Sequence, residues 1–257
     1  MTDQAQKNYG FKWLPNAKLL VFSLLMMPLL ISLGFWQLQR AEEKQDIVDR
    51  YANNQQLPPL SNAQSLLTGH DHQYRLAWMR GLVDNNRAVI LDNRVKNGRP
   101  GYEILQAVTL PEVAEKLLIN RGWIPASLDR AQLPVIMSVE GVVQLRGYLY
   151  HALKGGYRLD DGIKKVANWP TRVGWVTVER AEELFAEPFL PYQLRLDADS
   201  TGALQTGWTT VAVQPQKHTG YAVQWFAMAL TLLIMTIVAN SNIVSWLKKE
   251  PTNNLSD

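Results

Sequence analysis

LLVFSLLMMPLLISLGFWQ, residues 19–37, and YAVQWFAMALTLLIMTIVA, residues 221–239, decide the architecture of this chain. Each run has 19 residues, roughly 28 Å of helix at about 1.5 Å per residue, close to the ~30 Å hydrocarbon core of a bilayer. Two crossings return the chain to its starting side, so the residues between them must form one domain on the opposite side. The expected division is a tail at 1–18, a span at 19–37, a domain at 38–220, a second span at 221–239 and a tail at 240–257.

Orientation rests on the flanking charges. Lys7, Lys12, Lys18, Lys248 and Lys249 lie in the tails, against Arg40, Lys44, Arg50 and Lys217 just inside the spans, five against four. Long loops cross largely regardless of charge, so both short basic tails are placed inside and the central domain is extracytoplasmic. Ser32-Leu33-Gly34 resembles a signal-peptidase site, but Phe35 and Trp36 follow at once and the apolar run exceeds an ordinary signal core. No arginine precedes Arg40, unlike an organellar transit peptide. A bacterial plasma membrane is the expected home.

The formal charge of +3 and the lack of a basic, aromatic-interleaved stripe exclude a nucleic-acid partner. With zero cysteines, disulfides, thiolate metal sites and thiol chemistry are excluded, and packing must supply stability. Between the spans, β-patterned runs at 74–83, 87–92, 102–109, 116–123, 139–150, 173–178, 191–196 and 208–213 predict a mainly antiparallel sheet, with barrel-like closure as one option. Asp84-Asn85-Asn86 reads as a hairpin turn between the first two runs. Helices are expected at 42–51, continuing out of the first span, and at 179–186, with a helical turn at 111–116 opened by proline. Residues 53–65, with Pro58-Pro59, read as a linker. The fold class is thus two transmembrane helices flanking an α+β domain.

Catalytic signatures are missing: the chain has no G-x-S-x-G, no H-E-x-x-H and no phosphate loop. His70-Asp71-His72 is the one local cluster of metal-binding type, yet neighbouring residues of an extended chain point to opposite faces, so a solvated turn is expected. His151 is isolated and expected at the surface. The span edges carry more chemistry. If the second helix begins one turn early, His218 aligns with Ala222, Trp225 and Ala229. Two alanines beside a histidine leave room for another helix or for the face of a macrocycle with His218 as axial ligand. Gln37, Arg40, Ala41 and Lys44 likewise share a helix face, and the basic pair could hold haem propionates. The plainer alternative makes Trp36, Tyr221, Trp225 and Phe226 an aromatic belt, with Arg40 and Lys44 reaching to the interface.

Four motifs, in order, resemble those of the surfeit locus protein one family of cytochrome c oxidase assembly factors. These are Gly34-Phe35-Trp36-Gln37-Leu38-Gln39-Arg40 with Lys44, the glycine turn from Asn93-Arg94 to Gly98-Arg99-Pro100-Gly101-Tyr102, the segment Arg121-Gly122-Trp123-Ile124-Pro125, and His218-Thr219-Gly220-Tyr221-Ala222-Val223-Gln224-Trp225-Phe226. The chain departs from the family pattern after Asn168-Trp169-Pro170, where a common aspartate is absent, and at Ala107-Val108, where a proline is usual.

The resemblance implies a non-enzymatic chaperone that helps mature the haem-bearing oxidase subunit, with haem a as cargo and haem a synthase as a further partner. It implies His218 as the axial ligand, with Trp36, Gln37, Arg40, Tyr221, Gln224 and Trp225 around the haem, and no metal site besides the haem iron. Arg121 and Trp123 are candidates for partner contact, since both types are enriched in binding hot spots, or else a core aromatic and a buried ion-pair member. Gly98 and Gly101 are expected to supply a tight turn with backbone angles closed to other residues. An adaptor that binds no haem and a two-span sensor are the competing functions; tails of about eighteen residues leave a sensor no output module of its own.

Overall fold

The computed structural model describes residues 11–129, 131–152, 166 and 168–247; Lys7, Lys248 and Lys249 lie outside them. The chain divides into two compact units, Met1–Ile47 with Val211–Asp257, and Val48–Thr210.

The first unit is a helical hairpin. Helix α1 spans Ala17–Gln55, and α3 spans Pro215–Ala239. Both are long and apolar enough to cross a membrane, and only 11% and 17% of their most apolar windows are buried, whereas a soluble core helix would be mostly covered. The first run continues without a break through the helix expected at 42–51. The second helix begins at Pro215, whose fixed φ suits a first helical position, so His218 lies inside it. Ser23 Oγ and Thr236 Oγ1 are 2.6 Å apart, and Thr236 donates onward to Leu232 O. Higher up, Gly34 faces the Phe226 ring, where a Cβ would lie 2.5 Å from Cε1. At the opposite end, buried Asn240 accepts from the Asn16 and Leu14 amides, and Lys12 and Asn242 exchange two bonds.

The second unit is a mixed sheet. Its strands are β1 (Leu76–Lys96), β2 (Arg99–Thr109), β3 (Lys116–Pro125), β4 (Val142–Tyr150), β5 (Thr171–Val173) and β6 (Phe189–Leu196), with helix α2 at Val178–Phe185. The pairing order β1-β2-β3-β6-β4 returns to β1, so five strands form a ring and β5 adds to β1 outside it. Pairings β1–β2, β1–β4, β2–β3 and β4–β6 are antiparallel, while β1–β5 and β3–β6 are parallel.

Asp84-Asn85-Asn86 does not turn a hairpin. It is a bulge in one 21-residue strand, where the register to β2 shifts between Val83 and Ala88. Asp84 accepts from the Asn86 amide and from Arg87 Nε, and the kink lets the first half of β1 pair with β4 and the second half with β2. The hairpin instead falls at Asn97-Gly98, both with positive φ, between paired Lys96 and Arg99. Gly98 meets the expectation of a special backbone angle. Gly101 does not: it sits in β2, where a Cβ would overlap the Ile124 carbonyl and the Trp123 ring.

Other expectations also change. Residues 208–213 form no strand; Trp208 instead donates to Leu196 O. The run at 173–178 stops early, since Thr177 caps α2 and accepts from the Arg180 amide. Residues 111–116 form no helix; Glu112 accepts from the Ala63 amide at the start of the 3-10 turn Ala63–Leu67, which Asn62 caps and which occupies the end of the expected linker.

The main core takes alternate residues of the ring, among them Ala77 and Met79, Leu117 and Ile119, Leu145 and Leu149, and Leu194 and Leu196. A second cluster packs Ala181, Leu184 and Phe185 of α2 against Val89, Leu91 and Leu105. Tyr51, at the end of α1, makes edge contacts at 5.5 Å with Tyr74 and Tyr148.

Tyr148 is 3% exposed, and burial pushes its phenol from 10.0 up to about 12. A raised folded value means the neutral phenol contributes stability that is complete below pH 10 and lost as pH rises toward 12. Between about pH 9 and about pH 11.5 Tyr148 is expected to account for roughly 2 kcal/mol of lost stability, read as the part of the denaturant-titration difference that disappears in Tyr148→Phe.

Candidate functional site

Two side chains meet at the edge of the helical hairpin. His218, in the first turns of α3, has Nδ1 2.8 Å from Gln37 Oε1 of α1, and both residues are half-buried. Among the described residues, His218 Nε2 has no hydrogen-bond partner. The register follows from the contacts lower down. Ser23 meets Thr236 and Gly34 meets Phe226, so the helices run antiparallel with Gln37 about level with Val223, and the Gln37–His218 bond spans the further turn or so to His218.

The room beside the alanines is taken by the other helix. Pro215, Ala222, Ala229 and Thr236 are the buried stripe of α3, with Ala222 1% exposed and Ala229 5%. Thr236, a member of that stripe, and Phe226, beside it, both touch α1. Of the two occupants open at the sequence level, a neighbouring helix is the one in contact with this stretch of α3. Small residues let the backbones approach, as is usual between membrane helices.

A different flank of the hairpin stays open. At roughly 100° per residue, Tyr221 and Trp225 fall on the side of His218 away from Phe226. Trp36 and Arg40 fall on the matching side of Gln37. In an antiparallel pair these are the same flank, while Phe35 and Phe226 close the other with an edge contact at 5.4 Å. Trp36 is 48% and Tyr221 50% exposed, and Trp225 is half-buried. Arg40 lies 5.8 Å over the Trp36 ring and pairs with Glu43 at 2.6 Å; Lys44 is half-buried nearby on the same helix. Gln224 falls on the same side of the helix, about 120° from His218 and about 60° beyond Tyr221.

Arg121 and Trp123 lie inside the sheet unit instead. Arg121 is 2% exposed and donates to Gly202 O at 2.6 Å, Gln106 Oε1 at 2.7 Å and Met137 O at 2.9 Å. Burial pushes its guanidinium pKa down. Its partners are carbonyls and an amide, so it is a buried clamp and not an ion-pair member. Trp123 is 6% exposed, donates Nε1 to Arg94 O and pairs its backbone with Gln205.

In the His70-Asp71-His72 cluster, His70 and Asp71 are exposed as expected of a solvated segment, and His72 alone is buried. His72 is 6% exposed, its amide donates to Tyr192 Oη, and its Nε2 lies 3.2 Å from Ser65 O. His151 is half-buried, 5.6 Å from the Tyr192 ring. No group of three or more metal-ligating side chains occurs among the described residues. Sequence reading missed Ser23, Thr236 and Asn240; a lone polar residue within or at the end of an apolar run was the available signal.

A family model described as SURF1 family matches residues 24–230. A SURF1-like protein of Monosiga brevicollis is 20% identical over 231 residues, 85% of this chain and 86% of that protein. A SURF1-like protein of Rickettsia felis is 24% identical over 238 residues, 86% of this chain and 96% of that protein. The cytochrome oxidase assembly protein SHY1 of Saccharomyces cerevisiae is 27% identical over 110 residues, 42% of this chain and 28% of that protein.

Proposed function

The chain belongs to the SURF1 family, and on that footing we propose that it is a membrane-bound assembly factor for cytochrome c oxidase. In this reading it takes up haem a beside His218 and hands it to the haem-bearing subunit, with haem a synthase as the upstream partner. Family membership and the printed role of the yeast relative support the assembly part. The two apolar helices support anchorage in the plasma membrane, with the sheet unit on the extracytoplasmic side. The work is binding and release, not turnover.

One observation carries the haem reading: an imidazole held through one nitrogen, with the other nitrogen unpartnered among the described residues, beside exposed aromatic rings. Haem a brings an iron that accepts axial nitrogen and a greasy ring that needs apolar cover. His218 supplies a nitrogen of the right type, and Trp36, Tyr221 and Trp225 supply apolar surface. Arg40 and Lys44 supply positive charge for carboxylates. The Arg40–Glu43 pair, 45% and 42% exposed, is a surface pair worth about 1 kcal/mol or less, so Arg40 can exchange one carboxylate for another at little cost.

The test is purification of the full chain from cells that co-express the haem a synthesis enzymes and the oxidase subunit. Haem a and the subunit are both expected in the purified material, read by extracted-haem identity and by immunoblot. Capture of the subunit without haem would make the protein an adaptor and end the haem reading. Capture of neither would end the assembly reading.

A further inference from the structure

Resting on that haem reading, we infer that Gln37 is a positioning residue that holds the His218 imidazole as its Nδ1–H tautomer and so keeps the lone pair on Nε2. A neutral imidazole has one N–H and one lone pair, and which nitrogen carries which is set by its surroundings. The atom 2.8 Å from Nδ1 is the carboxamide oxygen of Gln37. A carbonyl oxygen has no hydrogen to give, so this bond requires the proton on Nδ1. The nitrogen that is bonded is thereby removed as a ligand, and the other is prepared as one. Metal-ligating histidines are commonly held in this way, with the second nitrogen donating to a carbonyl or carboxylate.

The arrangement depends on more than two side chains. Gln37 lies about one turn beyond Gly34, which packs on Phe226 of α3. Ser23–Thr236 holds the same register further along the pair. That packing fixes the two helices against each other, and the length of the Gln37 side chain spans the remaining turn to His218 Nδ1. Arg40, which shares that side of α1, is engaged with Glu43 and Trp36.

The experiment uses the full chain in detergent micelles with ¹⁵N-labelled histidine, the His218 signals being identified by their absence in His218→Ala. In the wild type, Nδ1 is expected to be protonated and Nε2 to give the unprotonated resonance, without any haem present. Gln37→Leu keeps the shape but removes the acceptor and is expected to shift the tautomer toward Nε2–H. Gln37→Glu retains an acceptor and is expected to restore Nδ1–H. Titration of the same proteins with haem a, followed by the Soret band, is expected to show a roughly 10- to 100-fold weaker affinity for Gln37→Leu, recovered in Gln37→Glu. A wild-type Nε2–H tautomer, or a tautomer indifferent to Gln37→Leu, overturns the inference. If the tautomers follow Gln37 but no variant, wild type included, takes up haem, it is the haem reading that fails, and Gln37 is then no positioning residue for a ligand.

Discussion

Replacing His218 by alanine is expected to reduce co-purified haem a to background while leaving the protein folded and in the membrane. The two halves of this expectation come from different contacts. The imidazole makes one side-chain bond, to Gln37, and its loss costs about 1 kcal/mol. The hairpin retains the Ser23–Thr236 bond, the Gly34–Phe226 packing and the Asn240 contacts at its far end, none of which involves residue 218. Haem uptake, by contrast, has no alternative nitrogen on this flank. The other three histidines, His70, His72 and His151, belong to the sheet unit, where His72 and His151 pack near Tyr192. The check is the Soret absorbance per mole of purified protein beside its thermal melt. An unchanged Soret band in a folded His218→Ala protein would remove His218 from the haem proposal.

Arg121→Leu is expected to cost the sheet unit about 2–5 kcal/mol through the acceptors it leaves without a donor, or roughly 10 °C in melting temperature for a domain of this size. The guanidinium joins three places distant in sequence: Gln106 of β2, Met137 before β4 and Gly202 after β6. Leucine fills part of the volume but leaves Gln106 Oε1 buried, and the part-buried Gly202 and Met137 carbonyls, without this donor, a buried acceptor so left being worth about 1–3 kcal/mol. Arg121→Lys should be intermediate, since an ammonium cannot span the fork that a guanidinium reaches. Thermal melts of the full-length variants measure this. If Arg121→Leu melts like the wild type yet no longer captures the oxidase subunit, Arg121 contacts a partner directly and its buried role is the error.

These two residues also separate what was legible beforehand from what was not. His218 was readable because a helix has a fixed period: once α3 was extended by a turn, the neighbours of His218 followed by counting. Arg121 was not, because its partners lie 15, 16 and 81 residues away, and no local pattern states which loop a long side chain will enter. The hairpin signals show the same division. Asn97-Gly98 carries the stronger two-residue turn signal and is the hairpin, whereas Asp84-Asn85-Asn86 has the composition of a turn and is a bulge. The choice between bulge and hairpin was settled by whether β1 could serve both β2 and β4. Residues 208–213 have strand composition yet form no strand, and Trp208 is engaged with the Leu196 carbonyl.

The sequence alone determined two helices of membrane-spanning length, a strand-rich domain between them and the helical neighbours of His218. These depend on hydropathy and on short periods, which act within a few residues and need no distant partner. The tertiary structure decided the closure of five strands into a ring, the burial of Arg121 and Trp123, the covering of Ala222 and Ala229 by α1, and the Gln37–His218 bond across 181 residues. Each of these depends on which distant surfaces meet, and that choice is made by the packing free energy of the whole chain, not by any segment of it.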